Sequence, residues 1–341
     1  MSSTATAGPM RMPRPRGVLS KMIRDALIDR PVRWPDVVAT AKSTATRGVV
    51  SDEDSQLSPL MLYELHYRGL AGVNDCWEWH PELLSVREVI EQRFETEIRD
   101  LTVVPELPPD GAMAGALFRL TAPAPGPSLS KFMAQRASQT QFREFLTHRS
   151  VYHLKEADPH TWAIPRLTGA VKAALVEVQA DEYGGGRAER MHATLFARTM
   201  RALGLDDTYG AMVDRVPAVV LAGVNAMSMF GLHRRLLGAI VGHLAAFEMT
   251  SSLPNRLYGN GLRRLGYDRD ATLFFDEHVE ADAVHEQIAG RDLAGGLAAA
   301  APERAPDILF GAAACLMLDD LAGDHLRSCW AAGRSSLLPG R

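Results

Sequence analysis

The sequence predicts an all-α helical bundle, and three observations carry that prediction. From Leu57 onward apolar residues recur at spacings of three and four, the long segments are rich in Ala, Leu, Met, Glu and Arg, and period-two runs of β-branched residues are nearly absent. Residues 1 to about 18, rich in Ser, Thr, Ala, Pro and Arg, lack apolar periodicity and read as a flexible tail. Between Val18 and Ser55 helical turns alternate with the breakers Arg30-Pro31 and Trp34-Pro35, so residues 1–56 are expected to form a tail and extension, and 57–335 the folded domain. The first domain helix is expected at Ser58-Pro59, with Ser58 as cap and Pro59 at the first helical position, where its missing N–H costs nothing. Helices then follow near 59–70, 84–100, 129–148, 149–157, 165–183, 187–203, 207–214, 217–232, 233–250, 256–265, 269–289 and 306–330. They are separated by the Pro-rich 104–128, Asp158-Pro159, Gly184-Gly185-Gly186, Gly204 and the stretch Ser251 to Pro254. Short connections of this kind join antiparallel neighbours.

Composition narrows the function. The 37 basic and 41 acidic side chains leave no basic stripe, which argues against nucleic acid as a partner. The most apolar stretch, Val216 to Leu232, carries Asn225 and Ser228 and ends in His233-Arg234-Arg235, so it reads as a buried core helix and not a membrane span. The basic run Arg11 to Arg16 is followed by no apolar h-region, so no signal peptide is expected and the chain is assigned to the cytoplasm. Cys76, Cys315 and Cys329 are odd in number and lack metal spacing, as expected of thiols in a reducing compartment.

The chemistry concentrates in three segments. In FFDEHVEADAVHEQIAG, His278, Asp282 and His285 lie at i, i+4 and i+7, within about 60° of one another on a helix. Phe274, Phe275, Ala281 and Ala289 share that side, so the three polar groups sit on an apolar face. Two buried imidazoles and a carboxylate need hydrogen bonds, ion pairing or a metal; a buried Asp orienting two core histidines is the competing account. Glu182 continues the stripe Val171, Leu175 and Val178, and His192 lies with Leu195, Phe196 and Thr199. On one continuous helix Glu182 and His192 would be about 15 Å apart and roughly 80° out of phase. They could meet at one ion only if Gly184 to Gly186 bend the chain; otherwise they would serve opposite sides of a two-metal centre. Glu156 ends a helix stopped by Asp158-Pro159, with Tyr152 one turn earlier, while Glu177 is out of phase with the apolar stripe and reads as exposed. Oxygen and imidazole donors without cysteine suit a pair of iron or manganese ions better than zinc.

These residues carry a resemblance. The Glu156 position, DEYGGGRAERMH with Glu182 and His192, and HVEADAVH with His278, Asp282 and His285 are similar to the metal pattern of the heme-oxygenase-like di-iron oxidases and oxygenases, the iron-containing redox enzymes. The similarity spans Leu57 to Trp330. It implies a heme-oxygenase-like bundle of about seven core helices, commonly a homodimer, in which these six residues bind two Fe ions, with Mn a possible alternative. It further implies O2 as co-substrate, an external electron donor, and oxidation of a small amine- or amino-acid-like molecule by N-oxygenation or by C–H or C–C cleavage, with no catalytic residue beyond the metal ligands. Metal-independent relatives, whether thiaminase-like hydrolases or heme binders with one axial His, and a non-catalytic metal-dependent sensor are the alternatives. Fold and ligands alone do not fix the substrate. Glu248 and His243, on an apolar helix, could line a substrate cavity or reach the metal but read first as satisfied core polar groups; Arg256, Arg263 and Arg264 could clamp a substrate carboxylate but read first as surface residues outside the site.

Overall fold

The fold was described from a computed structural model covering residues 8–44, 48–123, 126 and 128–340; the side chains of 280–283 fall outside the description. Among the described residues the chain is helical throughout, its one β feature being an isolated bridge between Met10 and Leu70. The helices are α1 (Val18–Leu27), α2 (Trp34–Ser43), α3 (Glu53–Glu64), α4 (Pro81–Leu101), α5 (Met113–Leu120), α6 (Leu129–Gln135), α7 (Gln139–His153) and α8 (Asp158–Thr161). They continue with α9 (Gly169–Glu182), α10 (His192–Ala202), α11 (Ala218–Leu232), α12 (Leu237–Arg264), α13 (Arg269–Gln287), α14 (Gly296–Ala300) and α15 (Ala305–Ala331). A π-helical stretch, Ile288–Gly295, extends α13 toward α14.

The central element is α12, which packs against α13, α15 and α6. Its crossing with α15 is closed by small residues: a Cβ added at Gly242 would fall 1.9 Å from the Ile308 carbonyl oxygen, and one at Gly311 2.0 Å from that of Ala239. Backbones this close exclude any larger side chain. The segment Arg234–Arg264 is long and apolar enough to span a bilayer, yet its most apolar window is 67% buried inside the protein, as befits a core helix. A break was expected at Ser251 to Pro254, but α12 runs through it. Pro254 removes one backbone rung, the Thr250 and Ser251 hydroxyls donate back to the Ala246 and Glu248 carbonyls at 2.7 and 2.9 Å, and packing on α13, α15 and α6 carries the helix through the proline.

Other expected boundaries also move. The expected 129–148 helix is two helices, because Ser138 Oγ accepts from Gln141 N–H and Gln141 Oε1 accepts from Ser138 N–H, a capping box that starts α7 afresh. The Pro-rich 104–128 contains α5, and 207–214 has turns in place of a helix. The first domain helix begins at Glu53, capped by the Asp52 carboxylate on Ser55 N–H at 2.7 Å, so Ser58 and Pro59 lie inside α3.

The extension after residue 18, expected as helical turns broken by prolines, holds two packed helices, and residues 1–7 of the expected tail lie outside the described residues. Leu19, Ile23 and Leu27 of α1 and Val37 of α2 are fully buried, α1 against α3 and α2 against α4, and the described part of the tail reaches back to Met10, which is 2% exposed. The cap of α1 comes from elsewhere in the chain: Asp54 of α3 accepts from the Leu19 and Ser20 N–H groups, both at 2.8 Å. Gly17 leaves room for that carboxylate, since a Cβ there would lie 2.3 Å from Asp54 Oδ2.

Candidate metal centre

Glu156 sits in the tight turn between α7 and α8, and the turn is clamped from several directions. Ala157 adopts φ +73°, a conformation non-glycine residues rarely take, while its carbonyl accepts from Gln179 Nε2 at 2.9 Å. Tyr183 donates to Asp158 at 2.9 Å, and the preceding Lys155 is buried against Glu64, Nζ to Oε2 3.3 Å. The Glu156 carboxylate thereby points inward at 4% exposure. His153, one turn back on α7, reaches it with Nδ1 at 2.7 Å from Oε1.

Glu182 is the last residue of α9 and His192 the first of α10. Between them Gly184, Gly185 and Gly186 all take positive φ, 69°, 59° and 81°. This reverses the chain and brings His192 Nδ1 to 2.8 Å from Glu182 Oε2. The bend allowed by the three glycines is the arrangement realised. A Cβ on Gly184 would lie 2.6 Å from the Met191 nitrogen, so Gly184→Ala is expected to displace the segment that delivers His192. The expected outcome is weaker metal uptake together with a loss of about 1–3 kcal/mol in stability, readable by metal titration and denaturant unfolding.

On α13, His278 and His285 face inward at 4% and 1% exposure. His278 Nδ1 donates to the Phe274 carbonyl at 2.8 Å, which turns Nε2 toward Glu156, 3.6 Å from its Oε1. His285 Nδ1 lies 3.3 Å from Glu248 Oε2, and Nε2 lies 3.0 Å from Asp181 Oδ2. Phe196 and Phe274 close one side, with their ring centroids 5.0 Å apart, and the His192 and His278 rings lie 4.3 Å apart.

The result is two adjoining donor groups. Glu156, Glu182, His192 and His278 can bring one ligand atom each within 4.8 Å of one another, as can Glu182, Glu248 and His285, with Glu182 common to both. Five of the six residues singled out from sequence therefore meet in one buried place, and the side chain of the sixth, Asp282, lies outside the described residues. Glu248 was expected to be a satisfied core residue; α12 places it in the second group. It was legible only as a lone carboxylate on an apolar helix. His153 and Asp181 also escaped the sequence reading, although each is within three residues of a carboxylate in the cluster.

His243 is buried outside the cluster, Nδ1 3.2 Å from His160 Nε2, with its ring stacked on Phe247. Arg263 holds Asp276 at 2.6 Å, Arg264 donates to the Ala134 and Ala137 carbonyls, Arg256 is exposed, and so is Glu177.

The polar atoms of the cluster fit metal ions better than they fit one another. Glu156 Oε2, Glu182 Oε2, His192 Nδ1 and His285 Nδ1 are buried without a hydrogen-bond partner, although His192 Nδ1 and Glu182 Oε2 are only 2.8 Å apart. Atoms that converge without being aligned to share a proton are arranged as ligands are, around a common point. Charge within the metal-free cluster is balanced by protons. Burial disfavours the imidazolium of His285, but the facing Glu248 carboxylate, together with Asp181, pushes it up to about 9. Burial likewise opposes a charged His192, and the Glu182 carboxylate outweighs it, holding the ring above the ordinary histidine range. Burial would raise Glu156, yet His153 and His278 hold it well below the usual carboxylate range. Cations entering here would displace imidazole protons and take over their neutralising role.

An all-α bundle around a buried carboxylate–imidazole cluster is an arrangement compatible with metal binding. The sequence profile of the iron-containing redox enzymes matches residues 143–320, just over half of the chain, and every described member of the cluster falls inside that interval. The chain belongs to this family and is an oxidoreductase. A nitrosourea synthase from Streptomyces achromogenes subsp. streptozoticus is 29% identical over 138 residues, a stretch covering 40% of this chain and 29% of that protein. The match thus spans under a third of the relative's length.

Proposed function

We propose that the chain is a non-heme di-iron oxygenase that activates O2 to oxidise a small amine- or amino-acid-like metabolite. The observation carrying this reading is the pair of donor groups sharing Glu182, which suits two ions held side by side. Glu156, Glu182, His192 and His278 would hold one and Glu182, Glu248 and His285 the other, manganese being an alternative to iron. When bound, the ions supply the electrons and the open positions for activating dioxygen. The protein's part is positioning and exclusion of water. His153 orients Glu156, and the Phe274 carbonyl fixes the His278 ring. Burial, with the charges of Glu156, Glu182 and Glu248, keeps the Tyr152 phenol protonated beside the cluster. A relative named as a nitrosourea synthase favours a nitrogen-bearing substrate. An external donor would return the centre to its reduced state. The three cysteines are free, in keeping with a reducing compartment.

Anaerobic Fe(II) titration followed by rapid mixing with O2 tests the reading. Two Fe(II) per chain, O2 consumption and a transient visible absorption band are expected. Absence of metal uptake would reject the centre, and uptake with no O2 consumption under any added reductant or amine would leave a sensor in place of an enzyme.

A further inference from the structure

The two histidines of α13 are held in opposite senses. His278 gives Nδ1 to a backbone carbonyl, Phe274 O at 2.8 Å, and turns Nε2 inward. His285 gives Nε2 to a carboxylate, Asp181 Oδ2 at 3.0 Å, and turns inward an Nδ1 that has no hydrogen-bond partner. A neutral imidazole donates from one nitrogen and offers the other, so whatever binds the outer nitrogen chooses the ligating one. A carboxylate in that outer place also strengthens the inner nitrogen as a donor more than a neutral carbonyl does.

We propose that Asp181 is a positioning residue for one half of the centre, fixing the His285 ring so that Nδ1 becomes the ligand shared with Glu182 and Glu248. This rests on the two-ion reading above. The adjacent residues Asp181 and Glu182 then divide the work at the end of α9, with Glu182 buried among the donors and Asp181 behind the imidazole. The two halves differ in what this implies. The outer anchor of His278 is main chain and cannot be lost by substitution. That of His285 is a side chain 61% exposed to solvent, on a ring only 1% exposed, so it contributes little to the fold and much to the orientation of a buried ligand. A half-exposed carboxylate is also within reach of solvent protons and cations on their way to the ring.

The test is anaerobic Fe(II) titration of the full chain against a competing chromophoric chelator, for wild type, Asp181→Ala and Asp181→Asn, with thermal unfolding of each metal-free protein alongside. Wild type is expected to take two equivalents. Asp181→Ala should keep one at wild-type affinity and weaken the other by about ten- to a hundredfold. Asp181→Asn, whose amide oxygen can still accept from Nε2–H but without the charge, should fall between them, and the metal-free unfolding midpoints should coincide. Two equivalents of unchanged affinity in Asp181→Ala would overturn the proposal and leave the two-ion centre standing. Equal weakening of both equivalents, or a fall in the metal-free midpoint that tracks the loss of binding, would overturn it as well. A wild-type protein that takes fewer than two equivalents would remove the two-ion reading, and this proposal with it.

Discussion

Replacing Glu182 by glutamine is expected to empty both halves of the proposed centre at once while leaving the helical fold in place. Glu182 is the one residue common to the two donor groups, so losing its charge removes an anionic ligand from each ion. The loss should exceed the ten- to hundredfold typical of outer-shell partners, reaching about a hundredfold or more at both positions. His192→Ala and His285→Ala should separate the halves, the first weakening only the group with Glu156 and His278, the second only the group with Glu248. His285→Ala should cost at least one metal per chain with the fold retained. Stability of the metal-free form should fall in the glutamine variant, because Glu182 Oε2 lies 2.8 Å from His192 Nδ1 and the buried imidazole loses its charged partner. Metal analysis after anaerobic reconstitution, with thermal unfolding of the metal-free forms, reads both effects. Retention of two ions by Glu182→Gln would refute the bridging assignment.

What could be read in the sequence, and what could not, divides along local and non-local physics. The inward faces of α9, α10 and α13 follow from helical periodicity, and the turn that joins Glu182 to His192 follows from three consecutive glycines. These are properties of short stretches of chain. The packed α1 was missed although Leu19, Ile23 and Leu27 repeat at four, because its N-terminal cap is supplied by Asp54, far along the chain. Ser251 to Pro254 carries a strong local stop signal, yet α12 continues because its packing against neighbouring helices outweighs local propensity. With that break expected, Glu248 stood near a helix end instead of mid-helix in the central element. Asp181 was invisible for a different reason: an exposed carboxylate on the polar side of a helix looks like any other until a second helix brings an imidazole to it.

A second large effect is expected at the buried pair of Glu64 and Lys155, the latter next in sequence to the donor Glu156. Their side chains are 1% and 2% exposed, and the charges are fully committed: Lys155 Nζ contacts Glu64 Oε2 at 3.3 Å and lies 4.2 Å above the Tyr67 ring, while the Tyr209 hydroxyl donates to both Glu64 oxygens at 2.7 and 2.8 Å. Glu64→Gln would strand the ammonium in this setting, and removing one partner of a buried pair costs about 3–5 kcal/mol. Lys155→Met with Glu64→Gln should recover most of that loss, since no buried charge is then left unpaired. Recovery of stability should not bring full recovery of metal binding. Lys155 immediately precedes Glu156, and Ala157 immediately after it is held at φ +73°, a conformation whose cost of about 1–3 kcal/mol persists only while the surroundings enforce it. With Lys155 released, the turn loses one of its buried side-chain anchors and keeps those from Gln179, Tyr183, Thr161 and Arg68. The double variant is therefore expected to unfold near the wild-type midpoint yet bind the ion at Glu156, His192 and His278 more weakly, with the Glu248–His285 position nearly unchanged. Equal affinity at both positions in the stable double variant would show that the buried pair serves the fold and not the placement of Glu156.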